Sequence, residues 1–176
     1  MDRVELSGWQ GWAPDPDRQR QIEVVKAEIE RLRASIGNLD AKKRDVDQRL
    51  YSLANEIYGL RNGMDQINYE IESLRYTIQT IQDRKETVRW QLESARDPQE
   101  KAALRYQLDQ LNEEIQNNRY RLDDLRYKKS DLESRIRDRH SQRDSLLREQ
   151  QYYEDQLQRE RYQLVSQQEL LRQLQR

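Results

Sequence analysis

The chain has no cysteine and no phenylalanine, and only one histidine, five glycines and three prolines among 176 residues. Without cysteine there are no disulfide staples, zinc–thiolate sites or thiol nucleophiles, and the redox compartment is left open. The single histidine, His140, cannot supply the repeated Glu-x-x-His ligands of a helical di-metal centre, and no glycine-rich phosphate loop is present. No run approaches the roughly 18 apolar residues of a membrane span, and no apolar signal-peptide core stands near the N-terminus. Basic excess is missing too: 32 Lys and Arg balance 33 Asp and Glu, a net charge of −1, where a dedicated nucleic-acid binder is usually strongly basic. Only 34% of residues are hydrophobic and 37% are charged, too little apolar material for the thick core of a compact domain this long. No catalysis, cofactor or metal is expected, and the cytoplasm or a macromolecular assembly is the default location.

What the chain does have is two heptad seams. From Ile22 to Ala95 the a positions are Ile22, Ile29, Ile36, Lys43, Leu50, Ile57, Met64, Ile71, Ile78, Lys85 and Leu92. The d positions are Val25, Leu32, Leu39, Val46, Leu53, Leu60, Ile67, Leu74, Ile81, Val88 and Ala95. Twenty of these 22 slots are apolar, a pattern that only a long coiled-coil helix requires. A second seam runs from Lys101 to Leu174, with 14 of 22 slots apolar when Tyr153 is counted. The predicted fold is all-α, a long antiparallel coiled-coil helical hairpin. Its parts are a tail over 1–15, a first arm over 16–96, a turn over 97–100 and a second arm over 101–176. At about 1.5 Å per residue each arm would extend roughly 120 Å.

The turn rests on local chemistry. Asp15-Pro16 and Asp97-Pro98 each set a capping carboxylate before a proline at the first helical position, and Glu100 completes a capping-box pattern after Asp97. The heptad phase also jumps by two residues at this point, which neither a stutter nor a stammer produces. Antiparallel pairing requires facing residue numbers to add to a constant, 196 for a turn centred on Pro98. Leu92 then faces Leu104, Ile81 faces Ile115, Leu74 faces Leu122 and Leu32 faces Leu164. The flanking charges suit that register: Lys42 and Arg49 with Glu149, Glu56 with Arg135, Glu70 with Arg121 or Lys128, and Arg84 with Glu114. The competing arrangement is a kinked parallel coiled-coil dimer, which Ile at a and Leu at d favour in the first arm.

Softness is expected in the middle of the arms, over 53–64 and 136–150. There Gly59 and Gly63 weaken one helix, while Arg139, Arg143 and Gln150 interrupt the facing seam. His140 falls at a flanking position and is expected in solvent.

Two features suggest a partner-binding surface. An Arg-aromatic dipeptide recurs at successive e and f positions as Arg75-Tyr76, Arg89-Trp90, Arg105-Tyr106, Arg119-Tyr120, Arg126-Tyr127 and Arg161-Tyr162. In the antiparallel register Trp90 and Tyr106, Tyr76 and Tyr120, and Tyr69 and Tyr127 come to matching heights. The alternative is a solvated stripe whose arginines are neutralised by Glu72, Glu86, Glu93, Asp109 and Asp123, three or four residues away. The other feature is the N-terminal segment, where Leu6, Trp9 and Trp12 stand among Gly8, Gly11 and Pro14. Tryptophans of this kind serve as anchors for a partner, or else cover Val24, Leu170 and Leu171 at the base of the arms.

The leading expectation is therefore a non-enzymatic structural protein, self-associating as a spacer, strut or building block of a filament, lattice, virion or appendage, and docked by its tail. An adaptor or regulator that binds a client protein comes second, and a nucleic-acid-associated coiled coil third.

Overall fold

A computed structural model describes residues 15–176. The helix α1 spans Pro16–Ser94 and α2 spans Pro98–Gln175, and no strand occurs among the described residues. The chain is an all-α helical hairpin, which reverses over Ala95–Asp97. Its helices begin where the Asp-Pro pairs predict. The Asp15 carboxylate accepts a hydrogen bond from the Asp17 N–H at 3.1 Å, and the Asp97 carboxylate accepts from the N–H groups of Gln99 and Glu100, both at 3.4 Å. Those are the orphan donors of a first helical turn, and each proline behind its aspartate has no N–H to leave unpaired. Pro98 thus opens α2, and residues 98–100 form its first turn.

Contacts divide the chain into two units. Among the described residues, one comprises 15–50 with 145–176, and the other Tyr51–Asp144. In the second unit, Ile71, Leu74 and Ile78 pack with Leu122 and Leu125, and Ile81 and Val88 pack with Leu111 and Ile115. Leu104 and Leu108 flank the latter cluster. Facing pairs such as Leu74 with Leu122 and Ile81 with Ile115 obey the register centred on Pro98.

The first unit buries Val25, Ile29, Leu32 and Val46 from α1, with Leu146 and Leu157 from α2. Cross-helix polar bonds fix it further. Ser35 Oγ donates to Glu160 Oε1 at 2.9 Å, Gln150 Nε2 donates to Asp47 Oδ1, and Arg161 lies 3.2 Å from Asp40. At its end, Arg18 Nε donates to the Leu174 carbonyl at 2.7 Å, so a cation from the first turn of α1 satisfies an orphan acceptor in the last turn of α2.

No a or d position in either helix is exposed, yet full burial is uneven. Eleven of the fully buried residues belong to α1 and six to α2, the imbalance expected from the polar interruptions of the second seam. The least buried stretch overlaps the expected one only in part. Leu53, Ile57 and Leu146 are buried, whereas Leu60, Met64 and Ile67 on α1 and Leu132 and Ile136 on α2 are only half-buried.

Candidate interaction surface

In a heptad helix pair the f position points away from the partner helix, so the f rows form two opposite outer edges. In the Tyr51–Asp144 unit, the α1 edge carries Tyr69, Tyr76, Asp83 and Trp90, and the α2 edge carries Tyr127, Tyr120, Glu113 and Tyr106 at the same heights. The six aromatic residues are 64–77% exposed. Nine of the chain's ten tyrosines are exposed, so these rings contribute almost nothing to the fold that displays them.

Whether each neighbouring arginine is paired follows from the residue three positions before it. Arg75 pairs with Glu72 at 2.7 Å, Arg89 with Glu86 at 2.9 Å and Arg126 with Asp123 at 3.3 Å. Arg105 and Arg119 have Ala102 and Gln116 in that place, and among the described residues no carboxylate lies within ion-pair distance of either. Arg161, preceded by Gln158, reaches across to Asp40 instead. Neutralisation by Glu93 and Asp109 does not occur, while Glu72, Glu86 and Asp123 take the expected role.

Between the helices of this unit lies an open groove of about 440 Å³ lined by Arg75, Arg119 and Arg126, with Ile78 and Leu122 among its walls. Three arginines of the repeated dipeptide therefore converge on one face. Arg89 and Arg105 do not line this groove. A smaller groove of about 280 Å³, lined by Tyr69, Glu70, Ser73, Leu74 and Arg121 among others, lacks that concentration of charge.

Arg139 and His140 in the same unit were harder to foresee. Arg139 pairs with Glu56 at 2.9 Å across the helix pair. His140 is half-buried rather than fully solvated, because Arg61 on the facing helix donates to its Nε2 at 3.2 Å. A guanidinium can only donate, so Nε2 is the acceptor of that bond, and Nδ1 is buried without a partner among the described residues. A lone histidine at a flanking heptad position gives no sequence signal of such a contact.

In the unit of residues 15–50 and 145–176, Val24 and Leu170 are exposed, and a groove of about 540 Å³ is lined by Lys26, Ile29, Glu30, Arg33, Gln168, Leu171 and Arg172. The candidate anchors Leu6, Trp9 and Trp12 lie outside the described residues. Among the described residues, no group of three or more His, Asp or Glu is placed to hold a metal ion, and no helix is long and apolar enough to cross a membrane. Compared with known proteins, the chain matches no family model, no curated protein and no solved structure.

Proposed function

We propose that this protein is a non-enzymatic structural component, a coiled-coil hairpin that acts as a spacer, strut or building block in a larger protein assembly and is docked by its N-terminal segment. One observation carries the reading. No seam position of either arm is exposed, while Trp90 and nine of the ten tyrosines stand in solvent. A helix pair gains nothing internally from exposed tyrosines, whereas aromatic residues are enriched where protein surfaces meet. The grooves are open to solvent, unlike the enclosed pockets in which small substrates are usually held. Both points support a mechanical or adhesive role over a catalytic one.

The test is assembly itself. Sedimentation velocity and electron microscopy across a concentration series should show higher-order species that retain full helix content. Persistence as a single chain at every concentration overturns self-assembly. The docking role of the tail is tested by Trp9→Ala with Trp12→Ala, which should leave thermal stability unchanged and abolish recruitment. A loss of stability with recruitment intact would instead assign the tryptophans to covering Val24 and Leu170.

A second reading, an adaptor that binds a client protein, is favoured by the groove formed by Arg75, Arg119 and Arg126, which would accept an acidic segment. A pull-down that depends on Arg119 without any self-assembly would select it. Nucleic acid as partner is the weakest reading for a chain with a net charge of −1, and a salt-dependent gel shift tests it.

A further inference from the structure

We infer that the two aromatic edges of the Tyr51–Asp144 unit are the contact between neighbouring copies of this chain. The α1 edge of one copy lies against the α2 edge of the next, with the copies running the same way and level with each other. The inference rests on the self-assembly reading above and adds the surface, the partner and its alignment.

The first argument is the matching of heights. Tyr69, Tyr76 and Trp90 on one edge each have an aromatic residue, Tyr127, Tyr120 and Tyr106, at the same height on the other. Asp83, within the aromatic stretch, is matched by Glu113, and the row continues as Asn62 and Asn55 opposite Ser134 and Ser141. These edges face away from each other, so the coincidence serves no contact within the chain. It is the pattern needed when one copy is translated sideways onto the next, bringing three aromatic pairs together along a row spaced by about 10.5 Å per heptad.

The second argument is charge. The α1 edge is flanked by Glu72, Glu86 and Glu93 and the α2 edge by Asp109 and Asp123. Arg105 and Arg119, the two arginines of the repeated dipeptide without a carboxylate of their own among the described residues, stand at e beside the α2 edge, Arg119 on the groove between the helices. In level packing Arg105 arrives level with Gln91, two residues from Glu93, and Arg119 arrives level with Thr77, between Glu72 and Asp83. Arg75 and Arg89 are already drawn toward Glu72 and Glu86 at the margin of the α1 edge, where their guanidinium groups can extend onto a neighbouring ring. The contact joins two different surfaces, so it is heterologous and generates an open row rather than a closed dimer.

The same geometry sets Asp83 against Glu113, a like-charge contact that opposes association. The arrangement therefore makes an unusual demand: removing a charge at position 83 must strengthen assembly. Asp83→Asn should lower the concentration for half-assembly, and Tyr76→Ser with Trp90→Ser should raise it by about tenfold or more without loss of helix content.

Because the chain has no cysteine, the alignment can be tested directly by oxidation. A chain carrying both Tyr76→Cys and Tyr120→Cys should form a disulfide-linked ladder of three or more copies. A chain carrying Tyr76→Cys with Tyr106→Cys, which are out of level, should not. Dimers formed as readily by Tyr76→Cys alone, or no ladder from the level pair in a chain that still assembles, would overturn the inference and leave the structural reading intact. Failure of the unmodified chain to assemble at any concentration overturns both.

Discussion

Arg139 Nε lies 2.9 Å from Glu56 Oε2, and the arginine that makes this ion pair occupies a seam position facing buried Ile57. A guanidinium at such a place displaces apolar contact and holds one carboxylate in return. The pair is partly exposed, so breaking it through Glu56→Gln should lower stability by no more than about 1 kcal/mol. Arg139→Leu should do the opposite, raising the denaturant midpoint by about 1–2 kcal/mol equivalent at unchanged m-value, because leucine completes the layer with Ile57. A lower midpoint for Arg139→Leu would show that the ion pair contributes more than the missing apolar contact.

Gly37 and Gly59 sit within α1 with open space where a Cβ would project, and an added Cβ at Gly63 would meet only Leu132 Cδ1 at 3.6 Å. Alanine at position 37 or 59 should therefore stabilise the helix by about 0.5–1 kcal/mol, and the two changes together should be additive. Thermal unfolding at fixed protein concentration measures this. A destabilised Gly59→Ala would mean that another surface approaches this backbone closely.

Hydrogen exchange away from the helix ends should be fastest between Ile57 and Ile71 on α1 and between Leu125 and Asp144 on α2. Apart from residues 89–110 around the turn, these are the longest stretches of the Tyr51–Asp144 unit that contain no buried residue. Protection there equal to that around Leu74 and Leu122 would require an additional covering chain.

Tyr153 gives a pH signature. Burial of its half-exposed ring, the charge of Glu149 and a hydrogen bond to that carboxylate at 3.4 Å raise its pKa above the ordinary phenol value. The neutral phenol is therefore favoured in the folded chain. Its contribution to stability is complete below the unfolded pKa near 10 and is lost as pH rises through the higher folded value. Tyr153→Phe should show a shallower alkaline fall in melting temperature than the parent chain. Identical alkaline limbs would remove Tyr153 as their cause.

The seam was legible because burial in a helix pair depends on heptad position more than on residue type. Lys43, Lys85 and Arg143 are half-buried because a or d is where they stand. Charge pairing was far less legible. Arg49, Arg135 and Lys128 were expected to reach across the pair, but they bond to Asp45, Asp131 and Asp124 on their own helix. A carboxylate one turn away is already at the right distance, whereas a bond across the pair must order two long side chains. Heptad letters do not encode that competition. The cross-helix pairs that do form use Lys43, Arg139 and Arg161, two of them seam residues already held close to the other helix. Within the candidate surface, the heights of the aromatic residues followed from the register alone. The pairing of each arginine depended on whether Glu or Asp stood three residues earlier.

The three-residue reversal at Ala95–Asp97 also governs how such a gene can change length. Every layer is counted outward from that turn, so a single codon inserted in one arm would throw all layers beyond it out of step. A heptad duplicated in one arm keeps the seam facing inward but offsets every partner beyond it. Only matched additions of seven codons to both arms, at the same level, preserve the pairing of each residue with its present neighbour. Length variation among descendants of this sequence should therefore come in steps of fourteen residues, split equally on either side of Asp97-Pro98.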